Sequence, residues 1–380
     1  MRAGDNCRYF KKCGACQLRN MTYEEQLSYK MSRAIKLLGR FSHVEEIVPS
    51  PRTDAYRNKA QAVYFGQNGR VNYGIYQSSS GKVIKCEGCP VETPAAREIF
   101  SGIRHLMDEL KLHAYDAITG RGFLRHVLIR QAFATGEIMV VLVGATPIFP
   151  KEKLFVSLLT ERFPHITTVI HNVNDTETPL WLTDKERVLY GDGYITDTLC
   201  GCNFRISSRS FYQINPAQTE NLYKAAIDLA SLTGTERVLD AYSGIGTIGI
   251  IASRAAREVV CVESNSAAVE DGIQNAALSR ARNVRFHVSD TERYIKSEMQ
   301  KGRRFDVVIA DPPRAGCSKG FLAKLLTLAP KRIVYVSCNP ETLARDLSFL
   351  RGKYHVDRII PFDMFPHTNH IETVIRLSRK

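Results

Sequence analysis

The rhythm of hydrophobic and polar positions changes twice along the chain. Between residues 23 and 39 (YEEQLSYKMSRAIKLLG) apolar residues recur at helical spacing, with Leu27, Met31, Ile35 and Leu38 on one side and Gly39 as a stop. From about 56 to 205 the pattern is that of strands. AQAVYFG, RVNYGIY, RHVLIRQAF, EIMVVLVG and ITTVIHNV are β-branched or alternating, with polar turns between them and helical segments near 94–111 and 151–162. This predicts an α+β domain with a largely antiparallel sheet over 51–205. From about 217 onward helix and strand alternate. A helix over 217–231 precedes RVLDAY, GTIGIIASRAA, EVVCVE, SAAVEDGIQNAAL, VRFHVSD, DVVIADPP and RIVYVSCNP, and the strand-like runs HVDRIIPFDMF and ETVIRLS close the chain. Short apolar strands buried on both faces belong to α/β folds, so 206–380 is predicted to be a doubly wound, mostly parallel sheet. The stretch from Cys7 to Cys16 is too polar for a strand or a long helix.

Composition narrows the function classes. A chain of 380 residues suits two domains, and 44% hydrophobic with 24% charged residues suits a soluble globular protein. No apolar run approaches the roughly 18 residues that span a bilayer, and the N-terminus lacks the apolar stretch of a signal peptide. No membrane partner and a cytoplasmic location are expected. The net charge of +13 suits a polyanionic partner such as nucleic acid, with plain solubility as the bland alternative. Ten cysteines in such a chain point to metal binding, catalysis or burial rather than to a disulfide scaffold.

Ligands of doubly wound sheets bind beyond the carboxyl ends of the strands. Asp240, Glu263, Asp290, Asp311 and Cys338 all fall there. In VLDAYSGIGT, Gly244 and Gly246 let the backbone approach a ligand closely. Glu263, ending the next strand, would accept hydrogen bonds from ribose hydroxyls, and Asp290 would take an adenine amino group. The glycines fit the dinucleotide pattern G-x-G-x-x-G poorly; D-x-x-x-G-x-G resembles the S-adenosylmethionine site of Rossmann-like methyltransferases. Asp311-Pro312-Pro313-Arg314 stiffens a loop at the same edge. Arg314 stands where aminomethyltransferases carry a stacking aromatic, which argues against transfer to an exocyclic amine. Cys338, in VSCNP, would be lowered in pKa by the amide ends of a following helix. A lone cysteine after a strand is otherwise more often core. In DMFPHTNHIE, two histidines and a carboxylate in one loop could suggest a metal, and His367 and His370 could serve only to order the loop.

Together these residues resemble the RNA uridine-5-methyltransferases that act on ribosomal and transfer RNA. The resemblance runs from Cys7 to the C-terminus through SFYQIN, DAYSGIG, DPPRAG, SCNP and DMFPHTNHIE in the family's order. It implies that Gln213, Tyr242, Glu263 and Asp311 contact S-adenosylmethionine, that Cys338 is the nucleophile and Glu372 the base, and that Phe211 lies near the target base. Packing at a domain junction is the plain alternative for Phe211 and Gln213. The chemistry suits the set: a thiolate adding to carbon 6 of uracil makes carbon 5 nucleophilic, and a base must then remove the carbon-5 proton. The DMFPHT stretch is closer to the ribosomal branch, which implies 23S RNA of the large subunit as substrate. A transfer-RNA enzyme is the alternative, and an RNA-binding or folding factor with incidental activity a further one.

The resemblance also implies a 4Fe–4S cluster on Cys7, Cys13, Cys16 and Cys89. Pairing Cys13-x2-Cys16 with Cys86-x2-Cys89 would instead make a zinc site. Cys200, Cys202, Cys261 and Cys317 are read as packing residues. With only six residues before Cys7, the extra RNA-binding barrel of many members is expected to be missing. The RNA contacts then fall to Arg57, Lys59, Arg125 and Arg130, for which solvated surface charge is the plain reading. The expected organisation is an iron–sulfur loop over 1–24, a helix over 25–50 packed on the catalytic domain, the central domain over 51–205 and the Rossmann-like domain over 206–380, in a monomer.

Overall fold

The computed structural model describes residues 7–67, 70–176 and 181–380. They fall into two compact units. One takes the described residues up to Asn20, Arg52–Thr198 and Arg205–Arg209; the other takes Met21–Pro51, Leu199–Phe204 and Ser210–Lys380. A single turn, α1 (Phe10–Cys13), belongs to the first unit, and α2 (Tyr23–Leu38) to the second.

The first unit continues with β1 (Lys59–Gln67), β2 (Arg70–Tyr76), β3 (Val83–Lys85), α3 (Pro94–Glu109), β4 (Leu124–Gln131), β5 (Ile138–Gly144), α4 (Glu152–Arg162), β6 (Ile166–Val173) and β7 (Glu186–Tyr190). They build a seven-stranded sheet in the order β3-β2-β1-β4-β5-β6-β7. Every pair is antiparallel except β5 and β6, which α4 joins as a parallel crossover. Ile99, Phe100 and Ile103 of α3 pack with Tyr64, Val127, Val140 and Leu142 in the core. The edge strands β3 and β7 escape the sequence pattern for a physical reason. The first has three residues, and the second is largely exposed, so neither shows an apolar alternation. Strands β8 (Tyr194–Leu199) and β9 (Cys202–Ser207) pair with each other.

The second unit has α5 (Pro216–Ala230), β10 (Arg237–Ala241), α6 (Thr247–Ala252), β11 (Glu258–Glu263), α7 (Ser266–Leu278), β12 (Val284–Val288), α8 (Thr291–Gln300), β13 (Val307–Ala310), α9 (Lys319–Leu328), β14 (Arg332–Ser337), α10 (Pro340–Leu350), β15 (Tyr354–Phe362) and β16 (Glu372–Arg379). Its sheet order is β12-β11-β10-β13-β14-β16-β15. The first five strands are parallel, as expected of a Rossmann-like methyltransferase sheet. The last strand of the chain enters antiparallel between β14 and β15.

Helix α2 buries a different face from the expected one. A capping box of Thr22 and Glu25 starts it. Its buried residues are Gln26, Lys30, Ala34 and Leu38, whereas Ile35 is half exposed. The reason is its partner, the polar loop between β15 and β16. Lys30 Nζ donates to Asp363 Oδ1 at 2.5 Å and to the Phe365 carbonyl at 3.0 Å. Gln26 Oε1 accepts from the His367 backbone N–H at 2.8 Å, and Arg33 donates to the Asn369 carbonyl at 2.7 Å. Burial lowers the Lys30 pKa against the opposing pull of Asp363.

Both side chains of this ion pair are fully buried. Removing one partner strands the other charge, so Lys30→Met should destabilise by about 3–5 kcal/mol. Lys30→Met with Asp363→Leu should recover most of that loss in urea unfolding. A double variant no more stable than the single one would show that the pair is not the dominant contact.

Candidate functional site

The glycine turn after β10 is built by conformations that few residues adopt. Gly244 and Gly246 have φ of +53° and +80°. A Cβ on Gly246 would meet the Phe286 ring at 2.4 Å, while none would be met at Gly244, which lines a cavity. Tyr242 takes φ of +61° without being glycine, and its ring packs edge-on against Phe321. Glu263, at the end of β11, accepts from Gly244 N–H at 3.1 Å and from Asn265 N–H at 2.9 Å. Asp240 accepts from Gly249 N–H at 2.8 Å through Oδ2, and its buried Oδ1 has no partner.

These elements border a cavity of about 620 Å³. Gln213, Asp240, Tyr242, Gly244, Glu263, Asp311, Cys338 and Glu372 line it, and so does Phe211, a residue 68% exposed. Gly246 stands one residue inside the turn. Asp290 does not line the cavity. It caps α8, accepting from Arg293 N–H at 3.0 Å. The buried Cys202, Cys261 and Cys317 are packing residues of the second unit, and Cys200 is half-buried.

Pairing of β14 with β16 reaches Ser337 opposite Thr373, so the next residues on the two strands are Cys338 and Glu372. Residues directly opposite in an antiparallel ladder point to the same face, with Cβ atoms roughly 5 Å apart. Asn339 caps α10 by accepting from Glu341 N–H at 3.1 Å, and its amide donates to the Arg314 carbonyl at 3.3 Å, tying the proline loop to the cysteine turn.

The electrostatics correct one expectation. The start of α10 does not make Cys338 acidic: burial first, then the nearby Glu372 and Asp311, push its thiol up to about 11, with Arg314 pulling the other way. Burial, then Asp311, raises Glu372 well above the usual carboxylate range. Burial also raises Asp240 and Asp311 to about 7. Three carboxyl groups of the cavity wall, Asp240, Asp311 and Glu372, are thereby pushed above their ordinary range.

Residues 22–380 match the model of the tRNA (uracil-5-)-methyltransferases. The chain belongs to this family. It is an S-adenosylmethionine-dependent RNA (uracil-C5)-methyltransferase. An uncharacterized RNA methyltransferase of Halalkalibacterium halodurans is 40% identical over 380 residues, covering 98% of this chain and 83% of the relative. One of Clostridium acetobutylicum is 38% identical over 381 residues, with the same coverage. The Pyrococcus abyssi tRNA (uracil-54, C5)-methyltransferase, solved with S-adenosyl-L-homocysteine, superimposes with a TM-score of 0.80 at 30% identity. The match covers 95% of this chain and 85% of that one.

The remaining residues of interest in this uracil-5-methyltransferase lie in the first unit. Arg130 is buried and gives its guanidinium to the Ser208 carbonyl at 3.1 Å, which corrects its reading as a residue facing RNA. Lys59 is half-buried, and burial, helped by Arg130 and Arg57, lowers it to about 8. Arg57 is half-buried beside Glu92, and Arg125 lies over the Tyr115 ring while donating to the Asn174 carbonyl at 2.6 Å. Among the described residues no group of three or more His, Cys, Asp or Glu side chains is gathered to hold a metal ion. The cysteine-bearing segments are nonetheless tied together: the Cys13 carbonyl accepts from Ser78 N–H at 3.2 Å, and the Tyr9 hydroxyl accepts from Glu87 N–H at 3.1 Å. After burial, neighbouring thiols are among the causes that raise Cys13, Cys16, Cys86 and Cys89. No helix among the described residues is long and apolar enough to cross a membrane.

Asp311 supplies a pH test. Its folded value near 7 exceeds that of the unfolded carboxyl, roughly 3.9. Its contribution to stability is therefore complete below about pH 4 and lost as pH rises through 7. Asp311→Asn escapes that loss. It should be more stable than wild type by about 1–3 kcal/mol at pH 8, water in the cavity trimming the full linkage value, and no more stable at pH 4. Urea unfolding at both pH values reads the difference, and an equal gain at both would mean that Asp311 is not held above its ordinary pKa.

Proposed function

We propose that this enzyme methylates a uridine of large-subunit 23S ribosomal RNA through a covalent bond between Cys338 and the uracil. The observation that carries the reading is the placement of Cys338 and Glu372 at adjoining ends of β14 and β16 in the wall of one cavity. Gln213, Tyr242, Glu263 and Asp311 hold S-adenosylmethionine, with Asp240 and the Gly244–Gly246 turn shaping its seat. Phe211, exposed at that cavity, offers a face for the target base.

Cys338 releases its proton to solvent, and its sulfur adds to carbon 6 as the electron pair of the 5,6 double bond moves into an enolate. Carbon 5 of that enolate takes the sulfonium methyl, and S-adenosylhomocysteine leaves. Glu372, as carboxylate, then removes the carbon-5 proton; the double bond re-forms and the carbon–sulfur bond breaks. The raised thiol fits this order, because the thiolate becomes accessible once the positive sulfonium shares the cavity. The DMFPHT stretch favours ribosomal RNA. Transfer RNA is the second reading, favoured by the named substrate of the Pyrococcus abyssi neighbour. Arg57, Lys59 and Arg125 are proposed phosphate contacts, and the enzyme is taken to act as a monomer in the cytoplasm.

The cysteines of the first unit are assigned to a 4Fe–4S cluster held by Cys7, Cys13, Cys16 and Cys89. Two observations support the fit: soft thiols on linked segments influence one another, and a buried guanidinium near Cys16 lacks partners for two of its nitrogens. When bound, the cluster would cross-link these segments.

The test is to incubate enzyme and labelled S-adenosylmethionine with unmodified 23S RNA and unmodified transfer RNA and to map 5-methyluridine by mass spectrometry. Label in one 23S fragment, lost in Cys338→Ala, is the expected result. Label in transfer RNA alone would move the substrate to the second reading, and an active Cys338→Ala enzyme would end the covalent mechanism.

A further inference from the structure

The seven-stranded sheet of the first unit has two faces of different character. Tyr64, Tyr73 and Val127 point to the face that α3 covers. Their neighbours along the strands point the other way. Register sets these neighbours out in rows. Lys85, Gly74, Val63 and His126 stand opposite one another across β3, β2, β1 and β4, and Val83 stands opposite Tyr76 in the next row. Residues paired in this way share a face.

Two features lie on that face. The first is a group of three rings. Trp181, the single tryptophan of the chain, is part-exposed, and its ring centre lies 4.4 Å from that of His126 and 6.1 Å, edge-on, from that of Tyr76. Tyr76 is 45% exposed. Burial, then Arg125, lowers the His126 pKa to about 4, so it adds a neutral ring rather than a charge. Its Nδ1 is buried and has no hydrogen-bond partner. The second feature is an open groove of about 900 Å³, with Phe65 and Val83 as apolar wall and Arg8, Lys12 and Lys85 around it. Glu87 also lines it, 3.3 Å from Lys85. Three cations against one carboxylate leave an excess of positive charge.

Rings open to solvent beside a positive groove are the two parts of a single-strand binding surface, where cations track phosphates and bases stack on aromatic faces. We propose that this face grips an unpaired stretch of the RNA substrate, a base stacking on the Trp181–Tyr76 group while Arg8, Lys12 and Lys85 meet the phosphates. The proposal rests on RNA being the substrate and holds for ribosomal and transfer RNA alike. These residues position the RNA and touch no reacting atom. A duplex keeps its bases stacked and paired, so it offers the rings little.

Trp181 is its own reporter. The full-length enzyme is titrated with a short single-stranded RNA of mixed sequence and with the same sequence as a blunt duplex. Tryptophan emission is followed beside the anisotropy of end-labelled RNA. The proposal expects saturable quenching by the single strand and much less by the duplex. Trp181→Ala and Tyr76→Ala should each weaken single-strand binding about tenfold, and Trp181→Phe should lose less. Arg8→Gln, Lys12→Gln and Lys85→Gln should each make the salt dependence shallower by about 0.7. In methylation of unmodified RNA, Tyr76→Ala should raise KM and keep kcat, and it should bind S-adenosylhomocysteine as wild type does. If Trp181→Ala fails to fold, Trp181→Phe and Tyr76→Ala decide the matter. RNA binding that leaves Trp181 emission unchanged, with full affinity in Tyr76→Ala, overturns the proposal and leaves the methyltransferase reading standing. Equal quenching by duplex and single strand also overturns it. A wild-type enzyme that neither binds nor methylates 23S RNA or transfer RNA overturns the reading on which it rests.

Discussion

The antiparallel pairing of β16 with β14 is the constraint on which the site depends. Five parallel strands carry their ligand-binding ends to one edge, and that arrangement alone delivers Asp240, Glu263 and Asp311. It delivers no further acid beside Cys338, because parallel strands start at the opposite edge. A strand running the other way begins where its neighbours end. Glu372 is the first residue of β16, and Phe362 of β15 pairs with it on the far side. The residue after β14 and the residue opening β16 are thereby fixed across one ladder. A shift of one residue would turn Glu372 to the other face of the sheet.

That ladder is supported from a distant part of the sequence. The loop from Asp363 to His370 has to turn back into the sheet, and His367 takes φ of +69° within it. Lys30, Gln26 and Arg33 of α2 meet Asp363, His367 and Asn369, so a helix near the start of the chain braces the approach to Glu372. Asn215 adds to this hold by donating to the Met364 carbonyl at 3.0 Å and to Ser50 Oγ at 3.1 Å. Keeping acids out of water raises their pKa and costs stability, and a braced scaffold is what tolerates such a site.

Much of this was legible in the sequence, because strand ends and glycine turns leave local marks. The eight cavity residues from Gln213 to Glu372 were named from motifs, most of which stand at strand ends along one edge of the sheet. What stayed hidden depends on partners remote in sequence. The buried face of α2 is polar because its partner loop is polar, and helical periodicity counts only apolar residues. Arg130 is like any cation in a strand until the Ser208 carbonyl is seen to take it. Asp290 has the position of a ligand contact, yet its carboxylate caps a helix. The Cys338 thiol looked acidic from the helix that follows it, whereas burial first, and then two carboxyl groups brought by other strands, push it up.

The covalent division of labour between the two strand ends is tested most directly by trapping. Glu372→Gln keeps the shape of the proposed base and removes its basicity, so on the proposed covalent course attack and methyl transfer should proceed while release fails. On a denaturing gel, this variant with RNA and methyl-labelled S-adenosylmethionine should give a protein–RNA band carrying the label, and the band should vanish when Cys338→Ala is added. Wild-type turnover by Glu372→Gln, or a labelled adduct that survives without Cys338, would contradict the account.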